Sequence, residues 1–277
     1  VDAGHEVRRA SRKPRQAARR LGGRFGGEWV RFEASERGTA ERAMRGCDVV
    51  LYLVHGMSDG RGYARREKRA ANAVRAAAEA AGVQRIVYLG GVTSERPSTH
   101  LASRLATGSI LRHGAVPTWE LRAGMIVGEG SASWRLCRDT AARLPVMPLP
   151  RWLDHKSQPV AIDDVVAALV AAVDLDPGAG SRVYDLPGPD ALSGREILRT
   201  VAELMGIRTL ELPAPLVSPG VASRALRFVS GADPGITREL VEGLSGDLLA
   251  TGDDLFAHMG HEPMPFVEAA RLALRDA

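Results

Sequence analysis

The segment Asp48-Val49-Val50-Leu51-Tyr52-Leu53-Val54 constrains the fold most, because no charged residue interrupts it after Asp48 and Gly56 follows closely. A short, continuous apolar run of this kind suits a parallel strand covered on both faces. An alanine-rich stretch from about Tyr63 to Ala81 then reads as a helix closed by Gly82, and Arg85-Ile86-Val87-Tyr88-Leu89-Gly90-Gly91 reads as a second buried strand. Connections this long exclude hairpins. The pattern predicts an α/β chain with a parallel sheet and right-handed crossovers.

The alternation extends in both directions. Upstream, a short strand over His5–Arg12, closed by Pro14, precedes a helix from Arg15 to Leu21, a strand at Glu28–Phe32 and a helix to Arg45, for which Thr39 is the expected N-cap. Downstream, a helix begins near His100, and Thr118–Arg122 with Met125–Gly128 forms one more strand and its exit. A helix over Ser133–Leu144 leads into the proline-rich passage Pro145–Trp152, and Gln158–Ile162 precedes a helix over Val165–Val173 that Asp163 and Asp164 are expected to cap. Ser181–Leu186 is a short strand, and Ser193-Gly194-Arg195-Glu196 fits a capping box. The remainder is mostly helical, broken at Pro213–Pro219 and Gly231–Gly235.

Composition narrows the class. With 277 residues, 45% of them hydrophobic, the chain can bury one large core and a smaller lobe. No apolar run approaches the roughly 20 residues that span a bilayer, so no membrane span is expected and a cytoplasmic location fits. Two cysteines, Cys47 and Cys137, form neither a disulfide framework nor a metal cage. The basic residues crowd the first two dozen positions, from Arg8 to Arg24. They lack interleaved aromatics, so a solvated helix face fits better than a nucleic-acid surface, and no nucleic-acid partner is expected.

Several segments in order resemble the short-chain dehydrogenase/reductase superfamily, in its extended and atypical branch with NmrA-like proteins and the dehydrogenase-like accessory subunit of respiratory complex I. They are Ala3–Val7, Cys47–His55, Ala81–Gly91, Glu120-Leu121-Arg122-Ala123, Gln158–Val165 and Tyr184-Asp185-Leu186-Pro187-Gly188-Pro189. The resemblance implies a Rossmann-type sheet with a smaller, mostly helical C-terminal lobe. The expected division is residues 1–130 with 151–183 for the NAD(P)-binding domain, and 131–150 with 184–277 for the substrate-side lobe. The resemblance also exposes two departures. The family opens with a strand, a glycine-rich turn that carries the pyrophosphate, and a helix. This sequence starts at the equivalent of that helix's end, so roughly 20 residues are expected to be missing, given ordinary strand and helix lengths. Gly22-Gly23 and Gly26-Gly27 follow a helix and do not replace the turn. Because the first strand lies mid-sheet in the order 3-2-1-4-5-6, a chain without it is expected to be poorly stable and to bind dinucleotide weakly.

The second departure concerns catalysis. Where the family has a Tyr-x-x-x-Lys pair, this chain has His100-x-x-x-Arg104. Histidine still exchanges protons near neutral pH, and arginine fixes a phosphate or ribose. A degenerate site in which both are structural is the competing reading. The resemblance further implies that Arg12, beside Ser11 and aided by Lys13, meets the 2′-phosphate of NADP(H), which is therefore favoured over NAD(H). It places Glu33 at the adenine, Val54, His55 and Gly56 beside the adenosine ribose, and Leu89, Gly90 and Gly91 in the cofactor-facing loop.

Other candidates carry less. His258-Met259-Gly260-His261 has ligand-like spacing without a supporting cluster, so no metal site is expected. Trp134, Trp152 and Met147 suit either a substrate pocket or plain packing. The reading is an NAD(P)-binding, oxidoreductase-like protein, with hydride transfer from NADPH to a small carbonyl or quinone-like substrate as the expected activity. A non-catalytic NADP(H)-binding sensor or assembly protein and a nucleotide-sugar epimerase or dehydratase are the alternatives. Oligomeric state is not legible in the sequence.

Overall fold

The structure, a computed structural model, describes residues 3–20, 28–54, 62–95, 97–144, 146–176, 180–226, 229 and 234–275. In chain order the elements are β1 (Arg9–Ser11), α1 (Pro14–Arg20), β2 (Trp29–Arg31), α2 (Arg37–Met44), β3 (Val49–Tyr52), α3 (Tyr63–Ala81), β4 (Arg85–Gly91), α4 (Thr99–Arg112), β5 (Thr118–Ala123) and β6 (Ile126–Val127). They continue with α5 (Ala132–Arg143), β7 (Val146–Leu149), β8 (Lys156–Ser157), β9 (Val160–Ala161), α6 (Ile162–Asp174), β10 (Arg182–Leu186), β11 (Leu192–Ser193), α7 (Gly194–Leu204), β12 (Leu210–Pro213), α8 (Pro219–Leu226), α9 (Pro234–Gly243), α10 (Leu255–Met259) and α11 (Phe266–Arg275). No helix among the described residues is long and apolar enough to cross a membrane.

The parallel sheet expected from the sequence is present, but in two pieces. Four strands run in the order β10-β5-β4-β3, while β1 and β2 form a separate two-stranded parallel ribbon. Among the described residues no ladder joins the two, so β3 is hydrogen-bonded to β4 on one side only. The apolar side chains of Leu51 and Leu53 stand 46% and 50% exposed along that edge. Contacts through α2 tether the ribbon: Phe32 is buried with Ala40, Met44 and Tyr52, and the Arg8 guanidinium donates to the carbonyls of Ala43 and Arg45.

Two apolar layers cover the sheet. On one face Ile86, Tyr88 and Tyr52 pack against Val74 and Ala77 of α3 and Leu111 of α4; on the other, Val87, Trp119 and Leu121 meet Val165, Ala168 and Ala172 of α6. A third cluster builds the lobe, where Trp134, Val201 and Phe266 are nearly inaccessible. At Gly82, φ is +71°, a left-handed conformation that favours glycine, and the residue closes α3 as its spacing predicts. The Ser193–Glu196 capping box opens α7 as expected.

Two capping expectations are corrected. Glu36, not Thr39, precedes α2; the Thr39 hydroxyl lies inside the helix and donates to the carbonyls of Glu33 and Glu36. Likewise α6 starts after Ala161 without a side-chain cap, because Asp164 is engaged elsewhere: its carboxylate accepts from His261 Nε2 at 2.7 Å and from the Met264 amide at 2.8 Å. Asp164 is one of several groups that fasten residues 247–266 to the body. Asp185 accepts from the amides of Thr251 and Gly252, Gln158 accepts from Ala250, and Asp190 accepts from Phe266. The proline-rich passage, for which no element is expected from the sequence, contains β7, which pairs in parallel with β12.

Candidate cofactor and substrate site

The carboxyl ends of β3 and β4 and the start of α4 meet at one edge, where an open α/β sheet binds its ligand. Gly90 and Gly91 have a packing reason to be glycines. A Cβ at Gly91 would stand 2.7 Å from Leu101 Cδ1, and one at Gly90 would stand 3.0 Å from Glu120 Oε1. The bare Gly91 lets α4 cross closely over the strand end, and Gly90 leaves room for the Glu120 carboxylate of β5.

Ser98 caps α4 by accepting from the Leu101 amide at 3.3 Å, and the helical spacing puts His100 and Arg104 on one face. Both line a single cavity of about 1100 Å³ together with Leu89, Gly90 and Gly91. Arg104 is held from both ends. Its guanidinium donates to the Leu89 carbonyl and lies 5.9 Å from the Tyr88 ring, whose hydroxyl donates to the Arg104 carbonyl at 3.1 Å. Burial is the main cause that pushes the Tyr88 phenol up to about 12, so it stays protonated as a structural donor. The His100 amide donates to Glu239 Oε2 of α9 at 3.0 Å, which draws the lobe onto this helix start.

Beneath this edge lies a feature that the sequence did not single out. Glu120 of β5 is fully buried and paired with Arg112 of α4 and, at 2.9 Å, with Arg122. Gly108 gives its carboxylate room, since a Cβ there would be 2.3 Å from Glu120 Oε2. The available signal was the pair of charges, Glu120 and Arg122, inside the buried strand Thr118–Ala123. Glu239 had none, because its role depends on a helix far away in sequence.

The cavity continues into the lobe between α5, α7, α8 and α9, past Leu136, Ile197, Leu198, Leu226, Leu240 and Leu244. Met147 and Trp152 line it, whereas Trp134 belongs to the packed core. Cys137 also borders it; burial pushes that thiol up to about 12, which leaves little thiolate for nucleophilic attack.

The remaining expected contacts lie apart, on the ribbon. Ser11 Oγ accepts from the Lys13 amide at 3.2 Å, and both Arg12 and Lys13 are exposed just beyond β1. Glu33 follows β2, with Thr39 bonded to its backbone and its carboxylate accepting from Ser35. Val54 is exposed past β3, while His55 and Gly56 lie outside the described residues, as do Gly22, Gly23, Gly26 and Gly27. The two histidines with ligand-like spacing serve as packing and hydrogen-bonding groups: the His258 ring meets Tyr184 at 5.3 Å, and His261 bonds Asp164.

A parallel sheet with this cavity at its carboxyl edge defines a Rossmann-type α/β protein. Residues 1–124 match a family model described as NAD(P)H-binding. The mitochondrial NADH dehydrogenase [ubiquinone] 1 alpha subcomplex subunit 9 of Arabidopsis thaliana is 22% identical over 202 residues, which are 70% of this chain; the chain spans about half of that relative's length, 50%. Among solved structures, Citrobacter sp. triphenylmethane reductase is 20% identical with a TM-score of 0.75, and the match covers 99% of this chain and 92% of that one. The NADPH-dependent quinone oxidoreductase of Escherichia coli, solved with NADPH, is 21% identical with a TM-score of 0.75 and the same coverage, 99% and 92%. A nucleoside-diphosphate-sugar epimerase from Staphylococcus aureus is 14% identical with a TM-score of 0.73, covering 98% and 92%. The chain shares the Rossmann-type fold of these structures, and its first 124 residues carry the likeness to NAD(P)H-binding domains that the sequence resemblance implies.

Proposed function

We propose that the protein is an NADPH-dependent reductase acting on a carbonyl or quinone-like substrate in the cavity beside Leu89–Gly91. One observation carries the reading: an apolar chamber of about 1100 Å³ opens on the carboxyl edge of the sheet with His100 and Arg104 in its wall. That volume has to hold the nicotinamide end of the cofactor beside Leu89–Gly91 together with the acceptor.

In this reading a dinucleotide is contacted at its two ends. Arg12, assisted by Ser11 and Lys13, would hold a 2′-phosphate, Glu33 the adenine, Val54, His55 and Gly56 the adenosine ribose, and Leu89, Gly90 and Gly91 the nicotinamide side. When bound, the cofactor supplies a hydride. His100 gives a proton to the acceptor oxygen from its imidazole. Arg104 orients ribose or substrate after exchanging its bond to the Leu89 carbonyl for the ligand, and the apolar walls exclude water.

That bond also supports a second reading. With Arg104 committed to a main-chain carbonyl, and with histidine and arginine in place of Tyr and Lys, a cofactor-binding sensor without turnover is the alternative. NADPH oxidation against a panel of quinones and carbonyls, repeated with His100→Ala, tests both. Turnover that falls at least tenfold in the variant while NADPH binding holds supports the reductase. Tight NADPH binding with no turnover on any acceptor replaces it with the sensor, and turnover unchanged by His100→Ala removes the proton-donor role.

A further inference from the structure

The β7–β12 ribbon presents an apolar face to solvent. In its register Leu210 lies opposite Val146 and Leu212 opposite Pro148, and all four are exposed on the same face while Met147 and Leu149 point inward. The chain then turns through Leu216, which is 96% exposed, into α8, where Val221 is 55% exposed. Val146, Leu210 and Leu212 share the ribbon's outer face, Leu216 and Val221 follow in the next turn and helix, and clustered exposed apolar side chains mark docking sites.

The turn is fixed in place. Trp152 Nε1 donates to the Val217 carbonyl at 2.9 Å, which anchors the residue next to Leu216. The chain flanking the apolar residues is mainly basic, with the exposed Glu203 of α7 beside Arg208 as one opposing charge. Segments 146–151 and 208–226 contain the exposed arginines Arg151, Arg208 and Arg224, and their single carboxylate, Glu211, is neutralised by Arg199 at 2.6 Å. Pro148, Val217 and Val221 also line the large cavity, so the chamber reaches this face.

We propose that this face docks on an anionic bilayer surface, with Leu210, Leu212, Leu216 and Val221 entering the headgroup–acyl boundary and Arg151, Arg208 and Arg224 meeting lipid phosphates. Apolar insertion flanked by cations is the recognised chemistry of proteins that lie on a membrane without spanning it. A second copy of the chain is disfavoured by the same charges. A two-fold contact sets a patch against itself and would bring arginines towards arginines, whereas an anionic lipid surface complements them. The inference stands apart from the reductase reading, since it requires neither cofactor nor turnover.

The test is co-sedimentation of the full chain with vesicles of equimolar phosphatidylcholine and phosphatidylglycerol, against vesicles of phosphatidylcholine alone. The expected result is binding to the anionic vesicles that falls about tenfold or more in a Leu212→Glu/Leu216→Glu variant and weakens with salt. Both positions are exposed, and an unchanged thermal melt confirms that the variant folds; Arg224→Ser, which removes one cation and no apolar side chain, gives a second and smaller loss. No binding to either vesicle, or equal binding by the variants, overturns the proposal. A lipid-free dimer in sedimentation velocity that the leucine variant dissociates also overturns it, and assigns the face to a second copy.

Discussion

The β1–β2 ribbon and the four-stranded sheet hold opposite ends of one proposed cofactor site, and they are anchored very differently. In the sheet, β4 is hydrogen-bonded on both sides, Ile86, Val87 and Leu121 are fully inaccessible, and helices cover both faces. In the ribbon each strand is three residues long, α1 contributes no buried residue, and the tether runs through Phe32 and α2. Isolated two-stranded units are marginal in water, so the ribbon depends on what it packs against. The end proposed for proton transfer is therefore rigid, and the end proposed for the 2′-phosphate is weakly held.

The sharpest test of this contrast is Glu120→Ala. Removing the carboxylate leaves Arg112 and Arg122 without their shared counter-charge, and the expected loss is about 3 kcal/mol by urea denaturation, at the low end for buried pairs because both arginines keep some solvent. A loss below about 1 kcal/mol, the size of a surface pair, would deny Glu120 its role in fastening α4 to β5. Next, Leu121→Ala is expected to cost about 2–5 kcal/mol, and Val30→Ala in the half-buried ribbon about 1 kcal/mol or less. Hydrogen exchange should agree, with amides of β1 and β2 exchanging long before those of β4 and β5. Equal costs and equal protection would erase the distinction.

Arg12→Ala probes the ribbon as a ligand surface. NADPH affinity is expected to fall about tenfold with little change for NADH, the scale of one charge-assisted hydrogen bond. Equal losses for both dinucleotides in a fluorescence titration would remove Arg12 from the 2′-phosphate.

The smallest effect serves as a baseline outside both regions. Glu196, exposed at the start of α7, has its carboxyl held below the usual range, chiefly by the Ser193 backbone amide and then the Ser193 hydroxyl. A carboxylate with a lowered folded pKa adds stability above its unfolded value of about 4.3, and that stability is lost as pH falls through the folded value. Glu196→Ala is expected to cost about 1 kcal/mol at pH 7, with the gap narrowing in melts below about pH 4. A gap that stays constant with pH would show that the carboxylate charge does not matter there.

Elements whose cause is local were legible in the sequence. Tyr63–Ala81 with Gly82, the buried strand at Arg85–Gly91 and the Ser193 box each follow from periodicity or a cap within a few residues. Thr39 and Asp164 misled because both are ordinary capping residues whose side chains found better partners: neighbouring carbonyls for Thr39, and a loop about a hundred positions away for Asp164. The parallel pairing of β7 with β12 escaped for the same reason, since prolines argue against a strand and the partner lies beyond two helices. At the candidate site, the edge made by Leu89–Gly91 and α4 was readable. Glu120 and Glu239, which hold that edge in place, were not, because a single charge shows its partners only in three dimensions.

Trp152 gives the cavity its own optical reporter. The molecule has four tryptophans, and they sit in four surroundings: Trp29 half-buried on the ribbon, Trp119 beneath Arg85 in the sheet, Trp134 in the lobe core and Trp152 in the chamber wall, tied to the turn that carries Leu216. Single-tryptophan versions would therefore report separately on loosening of the ribbon, melting of the sheet and filling of the chamber. Emission from Trp152 would register both an acceptor entering from inside and a lipid surface arriving from outside.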